Sequence, residues 1–597
     1  MNYSVSTTIP GQTLGGSRSA TSGVSQWRRF FVMAFFVLAA SGVIGRLVYL
    51  QVFAHNQYVV NSKRTYVNSI SLPVSRGSIT DRNGELLAVT VPTASVSIRL
   101  SRYRSATDKT ALRPLAKLLE MDLSKLANKL SKTTMSTVNL ARDLPQEVGQ
   151  QVRDLELDYV RVEDKHSRYY PGSEESVQLV GFTDLMGNGQ EGMEMSYQEL
   201  LVGEKGRATV VRDAVRSIMK FTTDKEPKPG RDLPLSIDSR IQYKLYHELK
   251  RQFIAHRAVS AASVVVDVHT GEVLAMASLP SVNPNHRPFT QDQMKRGVFR
   301  NRAVLDIFEP GSTMKPFTVA AGIETGAIAA DGAVDTRPGY IVVDGHTIRE
   351  EHGSKGVLTL AQVIKKSSNV GAAKIALSMA REDYWEVLSQ FGFGRPSGSL
   401  FPYEPTGELD SYYRWSKVRQ ATMSFGYGLQ VSVLQLARAY SVLANGGYLL
   451  PMSLVKLDES SEQYLEKERI ISESTAKAVV RMMEGVVQPG GTAPNAKLPG
   501  YRVAGKTGTV RKSEKGGYSK RRYMALFAGI APASDPRYVM ITMFNEPRSG
   551  EYYGGKIAAP VFAKVMPYVL NLMAIAPDDM VPTGPLLVKG GARVAQL

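Results

Sequence analysis

Cysteine is absent from this chain of 597 residues. The protein therefore cannot form a disulfide, bind a metal through thiolates or use a cysteine nucleophile. The absence is also mildly typical of exported proteins, because free thiols oxidise outside the cytoplasm. We expect the chemistry to depend on oxygen and nitrogen side chains, and we predict neither a cofactor nor a metal site.

Recognised nucleic-acid motifs are also absent, although the chain is basic. Its formal net charge is +18, and such an excess favours acidic partners of many kinds. We find no zinc-finger spacing, no aromatic RNA-binding motif and no Walker A motif, so the charge alone does not identify a nucleic-acid-binding protein. We therefore predict no nucleic-acid partner.

Long apolar runs are scarce, and a single one is long enough to cross a bilayer. Residues 30–50 are almost entirely apolar, with Arg46 near one end, and a membrane span needs about 20 such residues. We predict an anchoring helix at 30–53 after a cytoplasmic tail at 1–29. Basic residues flank both ends of the run, so the positive-inside rule favours this orientation only slightly.

Two other interpretations of this run remain open. A cleaved signal peptide would have its apolar core at 30–38 and its small residues at 39–41. A buried core helix would instead be covered by the rest of the protein. The anchor is favoured because the apolar run continues past the small residues.

The rest of the chain divides into two predicted domains and a tail. Residues 54–232 mix strands and helices, and Asn83-Gly84 is typical of a type I′ hairpin. The segment 225–230 (KEPKPG) indicates a linker. Residues 233–575 form the second domain, and residues 576–597 are predicted to be a loose tail.

The second domain has strand patterns at both ends and helical patterns between them, at 312–485. His269-Thr270-Gly271 separates two of the strands, which predicts a β-hairpin. The order of elements predicts an α/β (α+β) domain whose single sheet combines strands from distant parts of the chain. The predicted strands are residues 262–268, 272–278, 501–510, 524–531 and 537–544.

The segment Ser312-Thr313-Met314-Lys315 follows a proline and a glycine, which mark the start of a helix. Lys315 lies three residues after Ser312 and so projects from the same helix face. A serine hydroxyl is a poor nucleophile until a neighbour accepts its proton, and a lysine can do so only when burial or a nearby cation lowers its pKa. The S-x-x-K pattern alone is weak, since it also begins at Ser217, Ser453 and Ser474.

Two further motifs follow Ser312 along the chain. Ser367-Ser368-Asn369 lies at a helix junction, and Lys506-Thr507-Gly508-Thr509 lies in a strand pattern. Taken singly, the first fits a helix cap and the second an edge strand with a bulge glycine. Together, S-x-x-K, S-x-N and K-T-G in this order are the shared set of β-lactamases and penicillin-binding proteins.

Each catalytic role follows from the chemistry of the side chain. Ser312 would attack a peptide carbonyl, and Lys315 would accept its proton. Ser367 would pass that proton to the leaving amine, and Asn369 would offer its amide to the substrate and to Lys315. Lys506 would attract a carboxylate-ended substrate and help to keep Lys315 neutral.

The substrate-binding roles fall on the K-T-G strand. Thr507 would hydrogen-bond the carboxylate, and Gly508 would leave room for an extended substrate beside the strand. The backbone N–H groups of Ser312 and Thr509 would form an oxyanion hole.

No E-x-x-L-N element, which activates a hydrolytic water in some β-lactamases, follows Ser367, so the acyl-enzyme should react with an amine rather than hydrolyse. A hydrolase (carboxypeptidase or β-lactamase) and a non-catalytic scaffold or β-lactam sensor remain alternatives.

The chain resembles the class B penicillin-binding proteins over nearly its whole length. The resemblance implies one membrane span, an elongated non-catalytic pedestal related to dimerisation domains, and a transpeptidase domain with an antiparallel sheet covered by helices. It also implies an inner-membrane protein with a cytoplasmic N-terminus and periplasmic domains. Similar segments in the pedestal are 76–88, 168–171 and 191–194, and in the transpeptidase domain 264–284, 303–316, 424–428 and 553–555.

Within that class, Asn369-Val370-Gly371 resembles the division-specific, FtsI-type branch, whereas the elongation branch usually has Asp at the first of these positions. The resemblance implies cross-linking of stem peptides on lipid II-derived glycan strands at the septum, inhibition by β-lactams, and work beside an FtsW-type glycosyltransferase and other divisome proteins. Two departures concern the rim of the site. Val510 stands where a smaller residue is usual, and 511–522 is unusually basic.

Overall fold

The computed structural model describes residues 26–59, 67–72, 74–105, 112–212, 218–351, 353–458, 467–514 and 517–579. Most of the predicted tails at 1–29 and 576–597 lies outside these residues, as does Ser217. The described residues form two compact units, one within 1–73 and 205–227 and the other within 74–204 and 228–597.

The first unit contains the apolar helix Gln26–Val48, which one turn of π-helix continues over Tyr49–Phe53. Together they make 28 residues that are long and apolar enough to cross a membrane, and none of the most apolar window is buried. This exposure argues against a core helix. The same unit contains a three-stranded antiparallel sheet of Val67–Leu72, Gly206–Arg212 and Ile218–Lys225.

The pedestal part of the second unit is built on the long strand Leu86–Arg99, which pairs with strands on both sides. Its three family-like segments meet at one buried carboxylate. Glu194 accepts from Arg76 Nε at 2.6 Å and from Arg168 Nε at 2.7 Å. The other strands are Ile79–Thr80, Thr137–Leu144, Val160–Tyr169 and Leu233–Pro234, and the helices are Leu100–Ser105, Leu112–Leu118, Leu123–Lys132, Gln146–Arg153, Ser173–Val180, Gly192–Ser196 and Gln198–Val202.

The hairpin predicted at Asn83-Gly84 exists, but its turn is not type I′. Residues 81–85 connect the two strands, and only Gly84 has a positive φ, of 89°. A type I′ turn needs positive φ at both central residues. The Asp81 carboxylate instead accepts from the backbone N–H groups of Asn83 and Glu85, at 2.7 and 2.9 Å, and so shapes a longer loop.

The predicted linker at 225–230 is partly fixed by backbone hydrogen bonds. Lys225 ends a strand, while Lys228 and Glu204 exchange two bonds of 2.9 Å. The Gly230 N–H donates to the Ser75 carbonyl at 3.1 Å. The segment therefore joins the two units, but only residues 226–227 resemble a free connection.

One five-stranded antiparallel sheet forms the core of residues 233–575, the predicted second domain, which lies within the second unit. Its strands are β1 (Ser260–Asp267), β2 (Val273–Leu279), β3 (Ala504–Glu514), β4 (Gly517–Ala531) and β5 (Tyr538–Asn545). The spatial order is β2-β1-β5-β4-β3, which confirms the predicted sheet from distant segments. The central strands are buried on both faces, so their sequences are continuous apolar runs rather than alternating patterns.

Helices cover this sheet. Ser239–Ala255 and Ala559–Leu572 pack together and against the sheet, while Val433–Ala444, Lys315–Glu324 and Glu473–Glu484 form another packed group. The core is continuous from the pedestal residues Ile79 and Leu87 to these strands and helices. The remaining helices are Gln291–Lys295, Arg302–Leu305, Leu360–Lys365, Asn369–Leu377, Arg381–Gln390, Lys417–Met423 and Gly554–Ile557.

Short paired strands and single 3₁₀ turns complete this domain. In its described part, the predicted helical stretch at 312–485 contains three two-stranded pairs as well as helices. These pairs are Ala333–Asp335 with Val357–Thr359, Tyr340–Val343 with His346–Arg349, and Tyr448–Leu449 with Glu468–Arg469. The 3₁₀ turns are Gly311–Met314, Tyr412–Arg414 and Pro494–Ala496.

Candidate active site

Ser312 lies in the 3₁₀ turn Gly311–Met314, directly before the helix Lys315–Glu324. Gly311 has a φ of +59° and donates its N–H to the Gly426 carbonyl at 3.1 Å. The buried Tyr440 hydroxyl donates to the Thr313 carbonyl at 2.7 Å. The turn is thus held from two sides, which fixes the position of the Ser312 hydroxyl.

Lys315 is fully buried, and its Nζ atom has four polar neighbours. These are Ser312 Oγ at 2.9 Å, Ser367 O at 2.8 Å, Ser367 Oγ at 3.0 Å and Asn369 Oδ1 at 2.8 Å. An ammonium group has three hydrogens and no acceptor, so it could only donate to these oxygens. A neutral amine can donate to the carbonyl and the amide oxygen while its lone pair faces a hydroxyl.

Burial is the main reason that the pKa of Lys315 is well below its usual range, and the nearby Lys506 lowers it further. Desolvation disfavours the charged ammonium, and a second cation adds repulsion. Burial and a nearby cation, the two causes that the sequence predicted for a lowered pKa of Lys315, are therefore both present. In its neutral form, Lys315 is placed to accept a proton from Ser312.

Ser367 occupies a sharp turn between the helices Leu360–Lys365 and Asn369–Leu377, as predicted. Its φ is +53°, a region that costs energy for a residue with a side chain. The next residue, Ser368, caps the second helix by accepting the Gly371 N–H at 2.9 Å. The turn points both oxygens of Ser367 at Lys315.

Asn369 meets one of its two predicted partners. Its Oδ1 atom accepts from Lys315, while its Nδ2 atom donates to the Arg349 carbonyl at 3.3 Å. The amide is therefore fixed in orientation before any substrate arrives. An interaction of Nδ2 with substrate remains a prediction.

Lys506, on β3, is fully buried and reaches Ser367 Oγ at 3.1 Å and the Thr507 carbonyl at 3.0 Å. Burial lowers the pKa of Lys506 to about 7. From the sequence, Lys506 was expected to carry a positive charge that attracts the substrate. In the folded protein its charge instead varies around neutral pH, because its ammonium group is desolvated.

The three residues after Lys506 line the edge of the sheet. The hydroxyls of Thr507 and Thr492 lie 2.8 Å apart, and Thr509 Oγ1 accepts the Gly554 N–H at 3.3 Å. A Cβ atom on Gly508 would lie 3.1 Å from Thr313 Cγ2. The glycine therefore also allows β3 to approach the nucleophile turn, a reason that the sequence did not reveal.

Glu350 is a site residue that the sequence analysis missed. Its buried carboxylate accepts from the Ser368 hydroxyl and from the N–H groups of Asn369 and Val370, both at 3.2 Å. It also pairs with Lys355 Nζ at 3.1 Å. A carboxylate at a helix N-terminus is favourable, and here it holds the S-x-N turn. No sequence signal marks it, because Glu350 belongs to none of the three motifs.

The other S-x-x-K serines in the described part of the chain do not contact their lysines. Ser453 Oγ donates to the Val455 carbonyl at 2.6 Å. Ser474 is exposed, and Lys477 pairs with Glu473 at 2.6 Å instead. Among the described S-x-x-K patterns, the one that begins at Ser312 alone joins the other two motifs.

The two departures from the family pattern, Val510 and the basic segment 511–522, both lie at the rim of the site. Val510 is buried, and its Cγ2 atom lies 2.3 Å from where a Cβ on Gly311 would be. The Tyr518 hydroxyl, from the basic hairpin, donates to Glu309 Oε1 at 3.0 Å. The hairpin between β3 and β4 therefore reaches the segment that precedes Ser312.

Two sequence families match the chain. The family described as penicillin binding protein transpeptidase domain matches residues 261–567, and the penicillin-binding protein dimerisation domain matches residues 71–235. The first match contains all three motifs.

Two curated relatives cover almost the whole chain. A probable peptidoglycan D,D-transpeptidase PenA of Neisseria meningitidis is 37% identical over 551 residues, which are 92% of this chain and 93% of the relative. The peptidoglycan D,D-transpeptidase FtsI of Escherichia coli is 36% identical over 558 residues, 93% of each chain.

Solved structures agree with these relatives. The transpeptidase domain of Burkholderia pseudomallei penicillin-binding protein 3 is 40% identical, with a TM-score of 0.53, and covers 58% of this chain and 98% of its own. Penicillin-binding protein 3 of Mycobacterium tuberculosis, complexed with aztreonam, is 28% identical, with a TM-score of 0.64, and covers 85% of this chain and 98% of its own.

Proposed function

We propose that this chain, which belongs to the penicillin-binding protein family of peptidoglycan D,D-transpeptidases, uses Ser312 to cross-link stem peptides at the division septum. The observation that carries the assignment of Ser312 is the position of Lys315 Nζ. That one buried nitrogen lies within 3.0 Å of oxygens from Ser312, Ser367 and Asn369. The arrangement joins the nucleophile, its base and a proton relay in a single cluster.

Acylation begins when Ser312 Oγ attacks the carbonyl between the two terminal D-alanines of a donor stem peptide. The hydroxyl proton moves to the lone pair of Lys315, and the new oxyanion is stabilised by the N–H groups of Ser312 and Thr509. Ser367 then passes its proton to the departing nitrogen and takes one from Lys315, 3.0 Å away, which becomes neutral again. D-alanine leaves, and an ester joins the peptide to Ser312.

Deacylation uses the same groups in the opposite direction. An amine of a second stem peptide attacks the ester carbonyl and gives up a proton to the relay. The bond to Ser312 breaks, its oxygen regains a proton from Lys315, and a new amide joins the two peptides. Lys315 alternates between base and acid, as microscopic reversibility requires.

Substrate recognition starts from the terminal carboxylate. Lys506 shares the Ser367 hydroxyl with Lys315, and Thr507 follows it on β3, so a charged carboxylate bound by these two residues would set the scissile carbonyl against Ser312. The carboxylate also favours the charged form of Lys506, whose pKa of about 7 in the folded protein leaves it only partly protonated.

We further propose that the Gln26–Phe53 helix anchors the protein in the inner membrane, with the N-terminus in the cytoplasm and both domains in the periplasm. Division rather than elongation is supported by the relative named FtsI and by Asn369. An FtsW-type glycosyltransferase and other divisome proteins are the partners that this placement suggests.

Mass spectrometry of the full chain after treatment with benzylpenicillin tests the nucleophile. We expect one acyl adduct, and peptide mapping should place it on Ser312. The Ser312→Ala variant should acquire none, whereas Ser453→Ala and Ser474→Ala should be acylated as the parent protein is. An adduct on either of those serines, or on Ser217, would reject Ser312 as the nucleophile.

A second measurement separates transpeptidation from hydrolysis. The acyl-enzyme formed with a stem-peptide donor is divided between an added amine acceptor and water. We expect the cross-linked product to exceed the hydrolysed peptide when acceptor is present. Rapid release of hydrolysed peptide or of opened penicillin would instead identify a carboxypeptidase or a β-lactamase.

A further inference from the structure

The hairpin that joins β3 to β4 carries a concentration of positive charge at the rim of the active site. Among its described residues, Lys512 pairs with Glu546 and Arg522 with Glu514. The other three cations are exposed and form no ion pair with the described part of the chain. They are Arg511, Lys520 and Arg521.

Arg511 differs from the other two because it shares a face of β3 with the substrate-binding residues. Side chains alternate along a strand, so Thr507, Thr509 and Arg511 lie on the same face. Arg511 follows Thr509 by two positions, about 7 Å along the strand. No described strand pairs with the outer edge of β3, which leaves this edge open to an extended peptide.

The direction of a bound donor follows from the proposed function, on which this inference rests. The terminal carboxylate lies at Lys506 and Thr507, and the scissile carbonyl points at the N–H of Thr509. The donor therefore runs antiparallel to β3, with its upstream residues continuing towards Arg511. The residue before the two D-alanines comes alongside that guanidinium.

We propose that Arg511 is a specificity residue that binds a side-chain carboxylate on the donor residue preceding the two D-alanines. The enzyme then favours a donor whose third residue is a diamino-dicarboxylic acid over one that carries a plain diamino acid such as lysine. A guanidinium matches a carboxylate in a bidentate pair. Lys520 and Arg521 add a positive potential that attracts such a donor to the rim.

Competition against a fluorescent penicillin tests this selectivity in the full chain. Two synthetic donors are compared, both ending in diaminopimelate and two D-alanines, one with the side-chain carboxylate free and one with it amidated. Each donor is titrated until penicillin acylation falls by half. We expect the free acid to be effective at a concentration about tenfold lower.

For each variant we take the ratio of the two donor concentrations that halve penicillin acylation. A general loss of activity affects both concentrations and does not alter this ratio. Arg511→Gln should bring the ratio close to one, and Arg511→Lys should leave an intermediate value, since lysine keeps the charge but not the planar fork. Lys520→Gln is the matched control, because it removes an exposed cation from the same hairpin; it should lower the ratio only slightly, through the lost potential, and leave it well above that of Arg511→Gln.

Three outcomes would overturn the inference. The parent protein would show a ratio near one, or Arg511→Gln would keep the tenfold preference, or Lys520→Gln would lower the ratio as much as Arg511→Gln. The last outcome would indicate a diffuse potential rather than a site. A protein that penicillin does not acylate on Ser312 would contradict the proposed function itself, so the two failures are distinguishable.

Discussion

Lys315 and Lys506 are both fully buried, and both place Nζ within hydrogen-bonding distance of the same Ser367 hydroxyl, at 3.0 and 3.1 Å. Two ammonium groups so close together would repel each other strongly, and neither has water to screen the repulsion. We therefore expect at most one of the two lysines to be charged at a time. The pH dependence of acylation should show which lysine loses its charge first.

Replacing Lys506 by alanine should move the rising limb of the acylation–pH profile to higher pH. Lys315 must be neutral to act as base, and removal of a nearby cation raises its pKa. The measurement is stopped-flow acylation by a chromogenic β-lactam between about pH 6 and 10. A slower reaction with an unmoved limb would show that Lys506 binds substrate without tuning the base.

Lys506 itself should produce a falling limb at higher pH in the acylation–pH profile of the parent protein. Its pKa in the free enzyme is about 7, so rising pH removes the charge that attracts the carboxylate of the β-lactam. The second-order acylation constant should therefore decrease above that value. Lys506→Arg should remove this falling limb, because arginine stays protonated, even where the rate at neutral pH is reduced. Persistence of the limb in the arginine variant would assign it to another group.

Substituting Glu350 by glutamine should destabilise the protein and slow acylation. The change leaves Lys355, whose side chain is only 12% exposed, without its counter-ion, at a cost of about 3 kcal/mol. It also weakens the anchor of the S-x-N turn. Thermal unfolding and acylation of the detergent-solubilised protein measure the two effects.

The double variant Glu350→Gln/Lys355→Met is the control for that prediction. Removing the uncompensated charge should restore part of the stability. The acylation rate should recover less, because the glutamine still binds the turn more weakly than a carboxylate. Unchanged thermal stability in the single variant would show that the ion pair contributes nothing.

Gly311→Ala should disrupt the nucleophile turn for two separate reasons. Its φ of +59° is unfavourable for alanine, and the new Cβ would meet Val510 Cγ2 at 2.3 Å. We expect a loss of about 1–3 kcal/mol in unfolding free energy from each cause, together with a severe loss of acylation.

The steric part of that loss can be separated by a second substitution. In a Val510→Ala background the clash is absent, so Gly311→Ala should be less harmful there than in the parent protein. Equal effects in both backgrounds would mean that backbone strain alone explains the glycine.

The helix Gln26–Phe53 should be retained in the mature protein and hold it in the membrane fraction after alkaline extraction. Removal of residues 1–53 should release the protein into the soluble fraction, because no comparable apolar helix remains among the described residues. Protease added from the periplasmic side should digest the two domains. A mature N-terminus near Gly42 would identify a cleaved signal peptide instead.

The meeting of the three motifs was predictable because each motif has a chemistry that requires its residue types. Ser312, Ser367 and Lys506 are far apart in sequence, yet the three patterns together specified their meeting. Glu350 was not predictable in this way. Its partners are backbone N–H groups and a hydroxyl, which any carboxylate brought there by the fold could bind.

Burial also separated expectation from structure. The sequence identifies Lys506 but does not show that the folded domain buries it completely. Its pKa of about 7, which results from that burial, therefore could not be predicted from the sequence. Likewise, Asn83-Gly84 correctly indicated a hairpin, whereas the bonds from Asp81 determined the turn. Local patterns predicted the elements, and tertiary contacts determined their charges and detailed shapes.

The pairing of β1 with β5 affects how the protein is made. The Ser263 hydroxyl on β1 donates to the Ile541 carbonyl on β5, 278 residues further along the chain. At a synthesis rate of about 5–20 residues per second, the ribosome needs on the order of tens of seconds to add that length. Until β5 is made, β1 lacks the partner that covers one of its edges, and an unpaired strand edge is prone to aggregate.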